Sequence, residues 1–228
     1  MAGVLLFCIS EDAKEFTRTV LNSKDDAGNE GLFDLVESRA DADNGRKLKR
    51  ELAEDEQIQT DSIGASEEDC QVWALRRQEH DGSLLGNLIG IVDSRTVSDG
   101  TILVQDFQPN DDVTMPFGKY GRLPPKPGHW VSFRIEHSKA FDLASAVKMV
   151  SPDITWPVYY GNKERLTDDQ GVFDVDEAER LIRVHDPEVY DYDIEGRDDE
   201  IFEMDRRERE SASASKLSEQ VKSIGIDE

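Results

Sequence analysis

The sequence predicts a mainly β fold, in which a small five-stranded closed barrel carries short flanking helices and acidic, partly disordered extensions. Between residues 84 and 151, apolar and polar residues alternate as they do in half-buried strands. Glycine, proline and aspartate divide this stretch into short segments joined by tight turns. Residues 85–151 have a net charge of 0, whereas residues 1–84 carry −10 and residues 152–228 carry −13 of the total of −23.

Five strands are predicted within this stretch. They are residues 88–92, 101–106, about 113–117, 129–135 and 144–150. Asp99-Gly100 supplies the turn before the second strand, and a connection rich in glycine and proline precedes the fourth. Closing the strands into a barrel would remove the unpaired edges that otherwise promote aggregation.

Glycine, aspartate and apolar residues follow one another in a distinctive order along the same stretch. The order is Gly90-x-Val92, Asp99-Gly100, Asp111-Asp112-Val113, Phe117, Leu123, the run from Pro127 to Phe133, and Ala146-Val147. In this order the stretch resembles a cold-shock-type OB domain, over residues 84–151 only. The resemblance implies an OB-like five-stranded barrel of the kind that family uses to hold nucleic acid.

The positions with which that family contacts nucleic acid are not matched. Its stacking aromatics, first-strand basic residue and third-strand histidine are replaced by Asp93, Ser94, Thr101, Leu103, Thr114 and Pro116. Stacking on aromatic side chains supplies roughly 1–3 kcal/mol per base in single-strand binders. We therefore extend the resemblance to the fold and not to the binding surface.

Residues 1–65 are predicted to form an acidic N-terminal extension with one or two helices. The apolar run 3–9 is expected to be a short strand or a buried helical turn, followed by a helix from residue 11 to about 22. The apolar island 31–36 is either a docking motif or a helical turn packed on the barrel. The basic cluster 46–50 is followed by acids, so pairing along a solvated helix explains it better than a nuclear localisation signal.

Residues 66–151 are predicted to contain the barrel and one additional strand before it. Ser66 and Asp69 have the spacing of a helix start, but the apolar run 72–75 precedes Asp81-Gly82, which is a strong hairpin signal. We interpret this segment as a hairpin that leads into the first barrel strand.

One loop of the predicted barrel combines cations with an aromatic ring. The candidate contacts for single-stranded RNA are Arg95 on the first strand and Lys119, Tyr120, Arg122 and Lys126 in the connection before the fourth strand. The alternative is a stiff loop whose glycines and prolines only set turns.

Large apolar residues elsewhere form a candidate protein interface. Trp130 points outward if Val131 and Phe133 point inward. Residues 152–185 are predicted to be an aromatic-rich segment and a short helix, Val175–Val184, that pack on the barrel or enter a partner's groove. Residues 186–228 are predicted to be an acidic disordered tail. The candidate interface residues are Trp130, Trp156, Tyr159, Tyr160, Tyr190, Tyr192, Ile201 and Phe202.

Composition and spacing argue against several classes of protein. Cys8 and Cys70 lie far apart and give no metal or redox spacing, and no cofactor is predicted. The histidines are scattered, and the sequence lacks a glycine-rich phosphate loop. The N-terminal apolar run is too short to span a membrane, so we expect a cytoplasmic or nuclear protein.

The sequence therefore predicts a non-enzymatic protein–protein adaptor, built on a degenerate cold-shock-like domain within a complex that handles RNA. Its acidic flanks repel nucleic acid and favour partners with basic or apolar grooves. One alternative is direct, weak binding of single-stranded RNA through the loop from Lys119 to Arg122. A second is an acidic inhibitor that mimics nucleic acid.

Overall fold

The computed structural model describes residues 3–23, 31–40, 48–53, 55–109, 115–126 and 128–190. The chain divides into two units, Met1–Val189 and Tyr190–Glu228. The helices and strands given below belong to the first unit. The predicted disordered tail lies, after Tyr190, outside the described residues.

Helices and strands are interspersed along the first unit. The strands are β1 (Gly3–Cys8), β2 (Phe33–Leu35), β3 (Leu84–Val92), β4 (Thr101–Phe107), β5 (Met115–Pro116), β6 (Arg122–Leu123) and β7 (Trp130–Glu136). The helices are α1 (Lys14–Leu21), α2 (Glu67–His80), α3 (Ser94–Asp99), α4 (Ala140–Met149), α5 (Pro152–Trp156) and α6 (Val175–Val184). Short 3₁₀ turns lie at Glu11–Ala13, Gly118–Tyr120 and His137–Lys139, and Pro157–Gly161 is a π-helical turn.

The main sheet has five strands in the order β2-β1-β3-β4-β7. β1 is parallel to both β2 and β3, whereas β3 with β4 and β4 with β7 are antiparallel. β5 and β6 form a separate two-stranded sheet. The main sheet is mixed and open, with β2 and β7 at its edges, so the predicted closed barrel is not confirmed.

The position of β1 explains why the sheet differs from the prediction. All six of its residues are buried, as expected for a parallel strand covered on both faces. Leu5 pairs with Ile89 and Phe7 with Ile91, so the N-terminal run enters the sheet beside β3. The N-terminal segment is therefore part of the central layer rather than an extension outside it.

The predicted fifth strand, residues 144–150, is wrong because most of it lies in α4. Leu143, Ala144, Ala146 and Val147 are buried at the spacing of one helix face. Alanine also has the highest intrinsic helix propensity of all residues. A short apolar run does not by itself distinguish a buried strand from a buried helix.

The predicted hairpin at residues 72–75 is also wrong, since these residues lie within α2. Ser66 and Asp69 form a capping box, in which each side chain bonds the backbone N–H of the other residue. Cys70, Ala74 and Arg77 are buried at helical spacing. Asp81-Gly82 joins α2 to β3 instead of closing a hairpin.

The predictions for the N-terminal segments are confirmed in part. The strand alternative for residues 3–9 is confirmed by β1, and the predicted helix after it is a 3₁₀ turn that continues into α1. The apolar island is neither a docking motif nor a helical turn, because it contains edge strand β2. Of the basic cluster, Arg50 Nε donates to Asp34 Oδ1 on β2 at 2.7 Å, while residues 46 and 47 lie outside the described part of the chain.

The two faces of the sheet are covered differently. α2 packs on one face, here called the α2 face, in a cluster that comprises Leu5, Phe7, Val36, Cys70, Ala74, Leu84, Ile89, Ile91 and Leu103. On the opposite face, Phe133 of β7 meets the rings of Tyr159, Tyr160 and Phe173. The α2 face is thus apolar over β1 and β3, whereas over β4 and β7 it also carries polar side chains.

Candidate functional site

The predicted RNA contacts are divided between two places. Arg95 lies on α3 and not on a strand, where it donates to Asp99 Oδ2 and to the Gln170 carbonyl, both at 2.7 Å. Lys119, Arg122 and Lys126 are exposed around the 3₁₀ turn and β6. The three loop cations therefore lie near one another along the chain. Arg95 lies elsewhere, on α3, and is bonded to Asp99 and Gln170.

Tyr120 is held by its surroundings rather than free to stack on a base. Its hydroxyl donates to the Val189 carbonyl at 3.1 Å and accepts from Asn162 Nδ2 at 2.6 Å. Its ring lies against Gly161, where a Cβ atom would come within 2.8 Å of Tyr120 Cδ1. The aromatic part of the predicted RNA contact is therefore a packing residue.

Three of the predicted interface residues lie in the core. Trp156, Tyr159 and Tyr160 have exposed fractions of only 5%, 0% and 7%. They pack on Phe133 and on one another, so the aromatic segment covers the face of the sheet opposite α2. Tyr190 is the last described residue, and Tyr192, Ile201 and Phe202 lie outside the described residues.

Trp130 is the predicted interface residue that remains accessible. It is half-buried on β7 and pairs across the ladder with Phe107 of β4, which is also half-buried. The two ring centroids are 5.2 Å apart at an angle of 37°. The strands fix the position of the pair, and Trp130 also packs against the hydrophobic cluster of the α2 face, so only part of its ring is accessible.

A row of polar side chains continues from this aromatic pair along the α2 face. Gln105 Nε2 donates to Ser132 Oγ at 3.0 Å and to Glu67 Oε2 at 2.7 Å, and Gln71 Nε2 donates to Gln105 Oε1 at 2.9 Å. Gln105 is buried although its side chain is polar. The bonds fix the Glu67 carboxylate over the sheet, next to the strands that carry Trp130 and Phe107.

The first turn of α2 adds negative charge to this surface. Glu67, Glu68 and Asp69 are all exposed. The Ser66 backbone and hydroxyl bond the Asp69 carboxylate and lower its pKa below the ordinary value. The Asp69 carboxylate is therefore charged at neutral pH, and the helix dipole favours negative charge at this end of α2.

An ion pair lies farther along the α2 face, on the other side of the polar row. Arg134 of β7 reaches across β4 to Asp93, with Arg134 Nη1 donating to Asp93 Oδ1 at 3.0 Å. Burial raises the pKa of Asp93, but its bonds with Arg134 and Thr96 outweigh that effect and leave the pKa lowered. Because Asp93 neutralises Arg134, the face carries no excess positive charge that would attract phosphate.

The candidate site, called the Trp130 surface below, consists of Trp130, Phe107, Gln105, Ser132 and the α2 acid Glu67. Sequence reasoning named Trp130 as a candidate interface residue but missed the other members. Alternation along β7 could have grouped Trp130 with Ser132, since successive residues of a strand face opposite sides. The contribution of α2 has no local signal, because Glu67 is distant in sequence from Gln105.

The chemistry of the Trp130 surface is that of recognition. It offers the partly exposed rings of Trp130 and Phe107 and the exposed Glu67 side chain, which together suit a cationic and partly apolar ligand. Among the described residues, no group of three or more His, Cys, Asp or Glu side chains is arranged to hold a metal ion. No helix in that part of the chain is long and apolar enough to cross a membrane.

Comparison with known proteins adds no assignment, since no family model, curated protein or solved structure matches the chain. The resemblance of residues 84–151 to cold-shock domains therefore stays a prediction.

Proposed function

We propose that this chain is a non-enzymatic protein–protein adaptor that holds a basic segment of another protein on the Trp130 surface. The observation that carries the proposal is the partly exposed Trp130–Phe107 pair on the same face of the sheet as the exposed acid Glu67. The sequence resemblance to cold-shock domains is our reason for proposing that the partner belongs to a complex that handles RNA.

The composition of this surface favours a protein partner over a nucleic acid. A cation over a tryptophan ring gains about 0.5–1 kcal/mol at exposed sites and about 2 kcal/mol or more once desolvated. Tryptophan is also among the residues most enriched at binding hot spots. The acids of α2 attract lysine and arginine side chains but repel phosphate groups.

The test is fluorescence anisotropy with a fluorescein-labelled peptide of alternating arginine and valine, at physiological salt. We expect saturable binding to the full chain, and we expect Trp130→Ala to weaken it by roughly tenfold, the equivalent of about 1.4 kcal/mol. The substitution leaves the net charge unchanged, so a loss reports the ring and not general attraction to a polyanion.

Val97→Ala is the matched control, because Val97 is an exposed apolar residue on α3. It should bind the peptide as the unchanged chain does. If Trp130→Ala and Val97→Ala bind equally well, the Trp130 surface is not the site. If the two variants bind the peptide equally well and added salt abolishes this binding, the result would favour the alternative of an acidic inhibitor that mimics nucleic acid.

The RNA-binding alternative is tested in the same assay with a labelled single-stranded oligouridylate. The adaptor proposal predicts no saturable binding of this probe at physiological salt. Saturable binding that Lys119→Ala reduces and Trp130→Ala leaves unchanged would favour direct RNA binding through the exposed loop cations instead.

A further inference from the structure

We infer further that the partner segment binds as an extra β-strand along the outer edge of β7. This inference rests on the proposed function and specifies the conformation of the bound segment. Edge strands offer unpaired backbone groups to an incoming chain, and extended peptides use them in several recognition modes.

The backbone bonds of β7 show which of its residues face outward. His137 N–H donates to the Gly100 carbonyl at 3.4 Å and extends the β4–β7 ladder, so the backbone groups of Val131, Phe133 and Ile135 face β4. Phe173 N–H donates to the Arg134 carbonyl at 2.7 Å from the other side. The N–H and C=O groups of Trp130, Ser132 and Arg134 therefore point away from β4.

In the part of the chain that the structure describes, the outer edge of β7 is paired at Arg134 and unpaired at Trp130 and Ser132. Val172 forms an isolated parallel bridge with Arg134, which occupies the edge at that residue. Among the described residues, no backbone group bonds the outward N–H and C=O of Trp130 or Ser132. A segment added here would pair with Trp130 and Ser132 and end where the Val172 bridge begins.

The same two residues combine the open edge with the Trp130 surface. The side chain of Ser132 bonds Gln105 on the α2 face, and Trp130, two residues before it, faces the same way. An added strand would lie about 4.8 Å from β7 and alternate its side chains between the two faces. Every second side chain would then lie on the α2 face beside the Trp130 ring, which favours a lysine or arginine side chain.

A second copy of this chain is a poorer occupant of the edge. It would bring together two chains that each carry a net charge of −23. Like charges disfavour that contact. Charge complementarity therefore favours an extended segment of another protein in which basic residues occupy alternate positions.

The first experiment compares Ser132→Pro with Ser132→Ala in the anisotropy assay with the arginine–valine peptide. Both variants lose the bond to Gln105, but only proline removes the outward N–H. Proline is tolerated on edge strands at positions where the backbone N–H does not donate to a neighbouring strand. We expect Ser132→Pro to bind the peptide roughly tenfold more weakly than Ser132→Ala. Equal binding by these two variants would count against strand addition.

The second experiment alters the peptide, so it does not depend on how Ser132→Pro folds. One peptide carries N-methyl groups on all its arginines and the other on all its valines. In an added strand, alternate residues direct their N–H groups toward β7, so one peptide should lose binding and the other should keep it. Binding that is equal for both peptides would overturn strand addition.

The outcomes separate this inference from the proposed function. If Trp130→Ala weakens binding while Ser132→Pro and both methylated peptides bind normally, strand addition is refuted and the adaptor proposal stands. If the unchanged chain does not bind the peptide, both proposals fail. If the chain alone forms a dimer that Ser132→Pro abolishes, the edge is occupied by a second copy and the inference is wrong.

Discussion

Replacing Lys148 with methionine would leave the buried carboxylate of Asp106 without its cation. Asp106 lies on β4 with an exposed fraction of 0%, and the Lys148 side chain on α4 is 13% exposed. Lys148 Nζ contacts Asp106 Oδ1 as an ion pair, and that oxygen accepts no hydrogen bond within the described residues. The other oxygen accepts from the Tyr160 hydroxyl and, at 2.9 Å, from Gln108 Nε2.

The expected loss is large because the charge that remains is fully buried. Removing one partner of a buried ion pair costs about 3–5 kcal/mol, compared with a total stability of about 5–15 kcal/mol for a typical domain. The Tyr160 and Gln108 bonds cannot neutralise the carboxylate, since both donors are uncharged. Burial and the charge of Asp106 raise the pKa of Tyr160 well above its ordinary value, so this hydroxyl stays a neutral donor.

The assay is urea denaturation followed by tryptophan fluorescence, with Lys139→Met as the matched control. Lys139 pairs with Asp176, but these side chains are 28% and 69% exposed, so its loss should cost at most about 1 kcal/mol. Asp106→Asn in the Lys148→Met background should recover part of the loss, because a neutral amide needs no cation. Similar destabilisation by Lys148→Met and Lys139→Met would refute the reasoning.

Two further predictions concern acid stability and thiol reactivity. The lowered pKa of Asp93 contributes stability that is present above the unfolded value of about 3.9 and is lost as the pH falls through the folded value. The free energy of unfolding should therefore fall more steeply below about pH 4 in the unchanged chain than in Asp93→Asn, and parallel slopes would contradict this. Burial raises the pKa of Cys8 and raises that of Cys70 to about 12, so Ellman's reagent at neutral pH should label both thiols only after unfolding in urea. Rapid labelling of the native chain would show that one of them is accessible.

Several local features of the fold could be predicted from the sequence. The predicted helix Val175–Val184 has the observed bounds, and the Asp174 side chain caps it by accepting from Glu177 N–H at 2.8 Å. Alternation along β7 correctly separated buried Phe133 and Ile135 from accessible Trp130. These features depend on residues within a few positions of one another, which is the range over which capping and periodicity act.

Local patterns failed where two signals competed. The Asp81-Gly82 turn favoured a hairpin while Ser66 and Asp69 favoured a helix, and the capping box forms in the structure. Residues 144–150 contain apolar residues that suit a strand or a helix, and α4 buries Ala144, Ala146 and Val147. In both cases burial of one helix face decided the outcome.

The sequence by itself determined the capped helix Val175–Val184, the approximate positions of β3, β4 and β7, and the neutral net charge of residues 85–151. Only the tertiary structure decided that β1 enters the sheet between β2 and β3, and that Glu67 meets Gln105 beside the open edge of β7. The physical reason is that side-chain periodicity and capping are local, whereas strand order depends on how all the apolar faces are buried together.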